Sequence, residues 1–169
     1  MGTRSLTVVH EDEAGSRPGD LLTMYRQYDG HPTGHGKELA DFLSGFSITN
    51  GLCGRDQSAR KANGMGCLAA QIVAHFKTEP GNVYLYPPGV RDLWEEYIYT
   101  ISLAQPASGG ARPHLRLVVQ AGCVTFFGAS GTTQNHMPVI FDGQPEAFDA
   151  DVGRTRASVA RLDTQGHRA

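Results

Sequence analysis

Cysteine is scarce in this 169-residue chain, with three in all, Cys53, Cys67 and Cys123. An odd number at spacings that match no zinc pattern argues against a disulfide framework and for a reducing cytosol. Long apolar runs are missing as well. None approaches the roughly 20 residues needed to cross a bilayer. The opening "MGTRSLTVVHEDE" lacks the basic-then-apolar design of a secretory leader. Nor does one sign of charge dominate. A net charge of −2 argues against non-specific binding to DNA through a broad basic face, but allows a small anion held by a few local cations. Catalytic signatures are also lacking: there is no Ser/His/Asp motif, no nucleophile elbow and no Cys/His pair. Glu95 and Glu96 adjoin, so on a strand they would point to opposite faces and could not share a substrate. The full Walker spacing is absent too, which excludes a P-loop NTPase. No cofactor and no metal is expected.

What is present reads as one globular α+β domain. The hydrophobic content of 40% supports a core, and a chain of this length needs no staples to form one. "SLTVVH" (5–10) and "DLLTMYRQYD" (20–29) form a hairpin around a charged Gly/Pro turn. Alternation puts Leu22, Met24, Arg26 and Tyr28 on one face, and Leu21, Thr23, Tyr25 and Gln27 on the other. "HGKELADFLSGF" predicts a short helix, with Leu39, Phe42, Leu43 and Phe46 as its apolar stripe and Gly45 near its end. Residues 48–66 read mostly as loop. The strongest helix is "GMGCLAAQIVAHFK" (64–77), with Met65, Leu68, Ala69, Ile72, Val73 and Phe76 on one side. "NVYLYPP" (82–88), "EEYIYTISL" (95–103), "HLRLVVQ" (114–120) and "GCVTFFG" (122–128) then read as an antiparallel series, the last turning back at Ala121-Gly122. The domain is expected to span 1–142. Residues 143–169 read as a polar extension, partly helical over "PEAFDADVGRTRASVARL" or disordered.

Four groups of residues carry candidate chemistry. His31 and His35 stand four apart, a zinc-like spacing on a helix. Pro32 and Gly34 break that geometry, and no third ligand follows, so a rigid turn is the favoured reading. "NGMGC", with Gly64 and Gly66, opens the strongest helix behind Arg55, Arg60 and Lys61. That is either a tight packing turn or a second anion site. Tyr84 and Tyr86 share a strand face, as do Tyr97 and Tyr99. Each pair reads as half-buried sheet surface, although a tyrosine at a cleft can also stack on a purine. Arg116 interrupts an apolar strand, either as an edge-strand cation or as an anion ligand. Arginines, glycines and tyrosines without an acid–base pair favour binding over catalysis. Two rivals remain, a small phosphodiesterase or ADP-ribose-processing hydrolase using His31 and His35, and an inhibitor that docks a host protein.

The segments "GTRS", "YRQYDGHPTGHGKELADFL", "NGMGCLAAQIVAHFK", "VYLYPP" and "EEYIYTI" resemble a family of short phage and prophage proteins with a "YRQYDGYPSGHG" signature. It is the family of the first-described Thoeris anti-defence sponge. The resemblance covers roughly residues 2–103, with a weaker echo in "LRLVV"; position 31 departs from it, being His instead of Tyr. It implies a non-enzymatic protein of the host cytoplasm with a WWE-like α+β fold, which sequesters cyclic ADP-ribose signals. It further implies a homodimer with its pocket at the interface, or a hexamer that also holds cyclic trinucleotides. By the resemblance Arg26, beside Gln27, is a phosphate ligand and Arg116 the second. Tyr84 or Tyr86 stacks on the base, and Arg55, Arg60 and Lys61 serve the second site. Neither a membrane nor double-stranded nucleic acid is an expected partner.

Overall fold

The computed structural model describes residues 2–11, 19–49, 60–105, 113–122, 124–127 and 133–149. Among these residues ten strands and two α-helices follow one another: β1 (Ser5–Glu11), β2 (Gly19–Arg26), α1 (Lys37–Leu43), β3 (Phe46–Thr49), β4 (Arg60–Asn63), α2 (Gly64–Phe76), β5 (Val83–Tyr86), β6 (Tyr97–Ala104), β7 (His114–Ala121), β8 (Val124–Phe127), β9 (Thr133–His136) and β10 (Val139–Gly143). Six of the strands form one sheet in the order β10-β7-β6-β1-β2-β5. The fold is α+β, and both helices pack on one face of this mostly antiparallel sheet. No helix among the described residues is long and apolar enough to cross a membrane.

Alternation decides which side chains meet the helices. Leu22 and Met24 of β2, Tyr99 and Ile101 of β6, and Leu117 and Val119 of β7 pack against Leu39 and Leu43 of α1 and Leu68 and Ile72 of α2. The stripe read for the second helix is the buried one, with Met65, Leu68, Ala69 and Ile72 all inside. The outer face carries a smaller cluster of Leu6, Val8 and Ile98, on which Tyr25, Leu93 and Met137 pack. The chain from β5 to β6 has to pass β2 and β1, and Leu93 in that connection packs over this outer cluster.

Several readings need correction. β1 and β6 pair in parallel, Ser5 with Tyr97 through Val9 with Ile101. Short connections exclude a parallel pair only between successive strands, and these two lie far apart in the chain. Phe46 does not continue the α1 stripe. Gly45 takes a left-handed φ of 76° after the helix ends, and Phe46 opens β3. Residues 46–49 and 60–63, at the ends of the expected loop, form a parallel ladder with Phe46 opposite Arg60; Arg55 lies outside the described residues. The turn at Ala121-Gly122 makes no hairpin: β7 pairs with β6 and β10, while β8 pairs with β9. The domain runs past residue 142, since Pro145 is buried and Phe148 packs on the core. Of the expected final helix, a single 3-10 turn over Pro145–Ala147 falls within the described residues.

Gly30 shows how tightly the turn after β2 is held. Its N–H donates to the Thr3 carbonyl at 3.0 Å, and its own carbonyl accepts the Tyr99 hydroxyl at 2.9 Å. A Cβ there would lie 2.8 Å from the Arg4 carbonyl carbon and from the Ser5 nitrogen, and backbone cannot swing aside as a side chain can. Gly30→Ala is therefore expected to lower stability by about 2–3 kcal/mol. In a thermal melt that is a fall of roughly 5–10 °C; an unchanged midpoint would show that the backbone yields.

Candidate functional site

Arg26 ends β2 on the helix side of the sheet, in register with Ser5 and Val83. The side chain is only 11% exposed. Its Nε donates to the Tyr28 carbonyl at 2.9 Å, while Nη1 donates to His35 Nδ1 at 3.0 Å and to Glu38 Oε2 at 2.7 Å. A guanidinium has no acceptor, so Nδ1 of His35 must be the one accepting, and the ring proton sits on Nε2. Nε2 then donates to Thr7 Oγ1 at 2.7 Å. His35 is fully buried, edge-on to Phe76 and Tyr99 at ring separations of 4.9 and 5.4 Å. Burial, reinforced by the Arg26 charge, pushes its pKa down to about 3. The imidazole is neutral at pH 7.

The histidine turn is thus a scaffold in which the two rings play unlike parts. Pro32–Gly36 winds ahead of α1 with a kink inside it, in keeping with the sequence reading that Gly34 interrupts helical geometry here. Pro32 opens it, where its missing N–H is no loss. Gly34 leaves helical geometry at φ −101° and ψ −106°, which lets the turn continue into α1. His31 Nδ1 pairs with the Thr33 hydroxyl at 2.9 Å. Both nitrogens of His35 are engaged inside the protein, so this pair is not arranged to pass protons to a substrate. No group of three metal-binding side chains occurs among the described residues.

The aromatic candidates stand elsewhere. Tyr84 pairs with Tyr25 across β2 and β5, and both tyrosines of β5 lie against Tyr25, with ring centroids at 6.3 Å for Tyr84 and 6.0 Å for Tyr86. This is the outer face, opposite Arg26. Tyr84 is 45% exposed and Tyr86 39%. The Lys77 ammonium sits 5.5 Å from the Tyr84 ring centre and donates to the carbonyls of Gly81 and Val83 at 2.8 and 2.9 Å. Gln27 continues the pairing, its N–H donating to the Asn82 carbonyl at 2.9 Å.

Arg116 also points outward, but β6, β1 and β2 lie between β7 and β5, which puts the two strands four spacings apart, roughly 19 Å at the usual spacing. It is not an edge-strand cation, because β7 runs between β6 and β10. Its guanidinium grips Asp142 of β10 with two bonds of 2.7 and 2.6 Å, holding that carboxyl below its usual range. One chain therefore does not gather Arg26, Tyr84, Tyr86 and Arg116 around a common space.

The second anion site also looks different in three dimensions. Arg60 Nη1 donates to the Phe42 carbonyl at 2.9 Å, and the guanidinium lies over the Phe42 ring. It caps the end of α1 and does not face the start of α2. The Lys61 carbonyl accepts from Gln71 at 3.0 Å. Gly64 takes a left-handed φ of 76°, which favours glycine, and Gly66 is exposed in the first turn of α2, with open space where a Cβ would stand at either glycine.

Some site features had no signal in the sequence. Glu38 reaches Arg26 from a helix, at a separation that matches no motif. Asp20 joins His10 Nδ1 at 3.0 Å to Arg91 Nη2 at 2.8 Å beside an irregularity in β1, tying the hairpin to the β5–β6 connection. Glu95 is not on a strand. Its buried carboxylate accepts the N–H groups of Asp92 and Leu93 at 3.2 and 2.7 Å, holding a connection in which Asp92 and Trp94 have left-handed φ and Trp94 is 83% exposed.

Compared with known proteins, the chain matches no family model, no curated protein and no solved structure.

Proposed function

We propose that this protein binds and holds a small anionic nucleotide without cleaving it, and that the ligand is a cyclic ADP-ribose-type immune signal, as the signature in residues 24–43 implies. On this reading it is a phage or prophage anti-defence sponge of the host cytoplasm. One observation carries the proposal. Arg26 is fixed from within by His35 and the Tyr28 carbonyl, and the oxyanion of an exposed carboxylate, Glu38, meets it from outside. A phosphate oxygen has the same demand for a charged N–H donor. Tyr84 and Tyr86 offer exposed ring faces for a purine.

The opposed directions of Arg26 and these tyrosines favour a pocket built from two chains. A symmetric dimer sets one copy's arginine against the other's aromatic strand. In solution the assembly is then a dimer or an even multiple such as a hexamer, in which a cyclic trinucleotide is a further candidate ligand.

The test is ligand release. The protein is incubated with cyclic ADP-ribose isomers, separated from free ligand and heat-denatured, and the supernatant is identified by mass spectrometry. Intact ligand is expected. An altered ligand would make the protein an enzyme, and no ligand would leave a protein-docking inhibitor.

A further inference from the structure

We propose that Glu38 is an internal competitor for the oxyanion position on Arg26, so that its side chain sets how tightly this site takes a phosphate; the inference rests on the reading above. The pair is lopsided. Arg26 is 11% exposed and has two further partners within the protein, whereas Glu38 is 54% exposed and bonds only to Arg26 among the described residues. The arginine stays in place and the glutamate is the exchangeable member.

The contact leaves part of the guanidinium unmatched. Glu38 meets the guanidinium through one oxygen on Nη1 at 2.7 Å, and no acceptor among the described residues meets Nη2. A phosphate carries enough oxygens to take Nη1 and Nη2 together, the two-pronged contact that suits arginine. To reach it, the ligand has to displace a carboxylate that carries the same sign of charge and repels it at close range. The empty site is thereby kept neutral, and weak anions such as chloride or carboxylates are held off. A phosphate gains the second prong that Glu38 lacks, so it competes where they do not.

Glu38→Gln keeps the shape of the side chain and removes its charge. Because Glu38 lies on the exposed side of α1, the fold is expected to hold. Inorganic pyrophosphate and cyclic ADP-ribose are titrated calorimetrically into wild type, into Glu38→Gln and into the same variant with Arg26→Lys added. Glu38→Gln is expected to bind pyrophosphate about five- to tenfold more tightly than wild type, and the added Arg26→Lys to remove that gain. Pyrophosphate bound no more tightly by a folded Glu38→Gln overturns the inference, and so does a variant that no longer folds, which would make Glu38 structural. A gain for pyrophosphate with no binding of cyclic ADP-ribose keeps the inference and sinks the nucleotide reading.

Discussion

His35→Ala is expected to lose roughly 4 kcal/mol of folding stability, the range seen when a large buried ring is cut to a methyl group. The ring fills the space between Phe76 and Tyr99 with no exposed surface, so its removal leaves a cavity. The polar loss adds to this. Nη1 of Arg26 loses one acceptor and Thr7 loses its donor, both in a region with little water. Since whole domains are stable by about 5–15 kcal/mol, one such change can consume much of the margin. His35→Gln is the informative partner, because an amide can accept from Arg26 and donate to Thr7 at once. Urea unfolding of the two variants separates the causes. If alanine costs less than about 1 kcal/mol, well under the usual loss for a buried ring, the Arg26–His35–Thr7 chain does not hold the turn.

The same residues show what could be read beforehand. The period-2 pattern of β2 put Arg26 on the face of Leu22 and Met24, and the structure agrees, because that face is continuous with the core. The stripe of α2 was legible for the same reason. Phe46 misled because a residue seven beyond Leu39 fits helical spacing, and only Gly45 tells the two continuations apart. The parallel pairing of β1 with β6 depends on a contact between segments some ninety residues apart, which no local pattern records. His35 belonged on paper with polar turn residues. Its burial makes sense only once Arg26 and Thr7 are seen to satisfy both its nitrogens, and Thr7 comes from another strand. Likewise, alternation gave the face of Tyr84 and Tyr86 on β5, but not that β5 would pair with β2 in a register that turns them away from Arg26.

Stability is expected to fall steeply as pH drops below about 6.5, and His35 is the reason. An unfolded histidine takes up a proton near that pH, whereas the folded one resists it down to about 3. Between those limits the unfolded state binds the extra proton, so unfolding is favoured by about 1.4 kcal/mol for each unit of falling pH. Above the unfolded value the contribution is fully present. The groups facing the ring sharpen the effect. Arg26 is a fixed positive charge at 3.0 Å, Thr7 accepts the proton already on Nε2, and Phe76 and Tyr99 offer no negative charge to stabilise an imidazolium. Asp20 and Asp142, both held below the carboxylate value of 3.8, add their own losses only at the acid end. The interval from about pH 6.5 to 4 therefore lies above these two carboxylates, and the comparison with a variant lacking the imidazole singles out His35 within it. Urea midpoints across it should slope in wild type and flatten in His35→Gln, which keeps the bonds but cannot titrate. Parallel slopes in the two proteins would mean that some other group takes up the proton, and that a protonated His35 is tolerated where it lies.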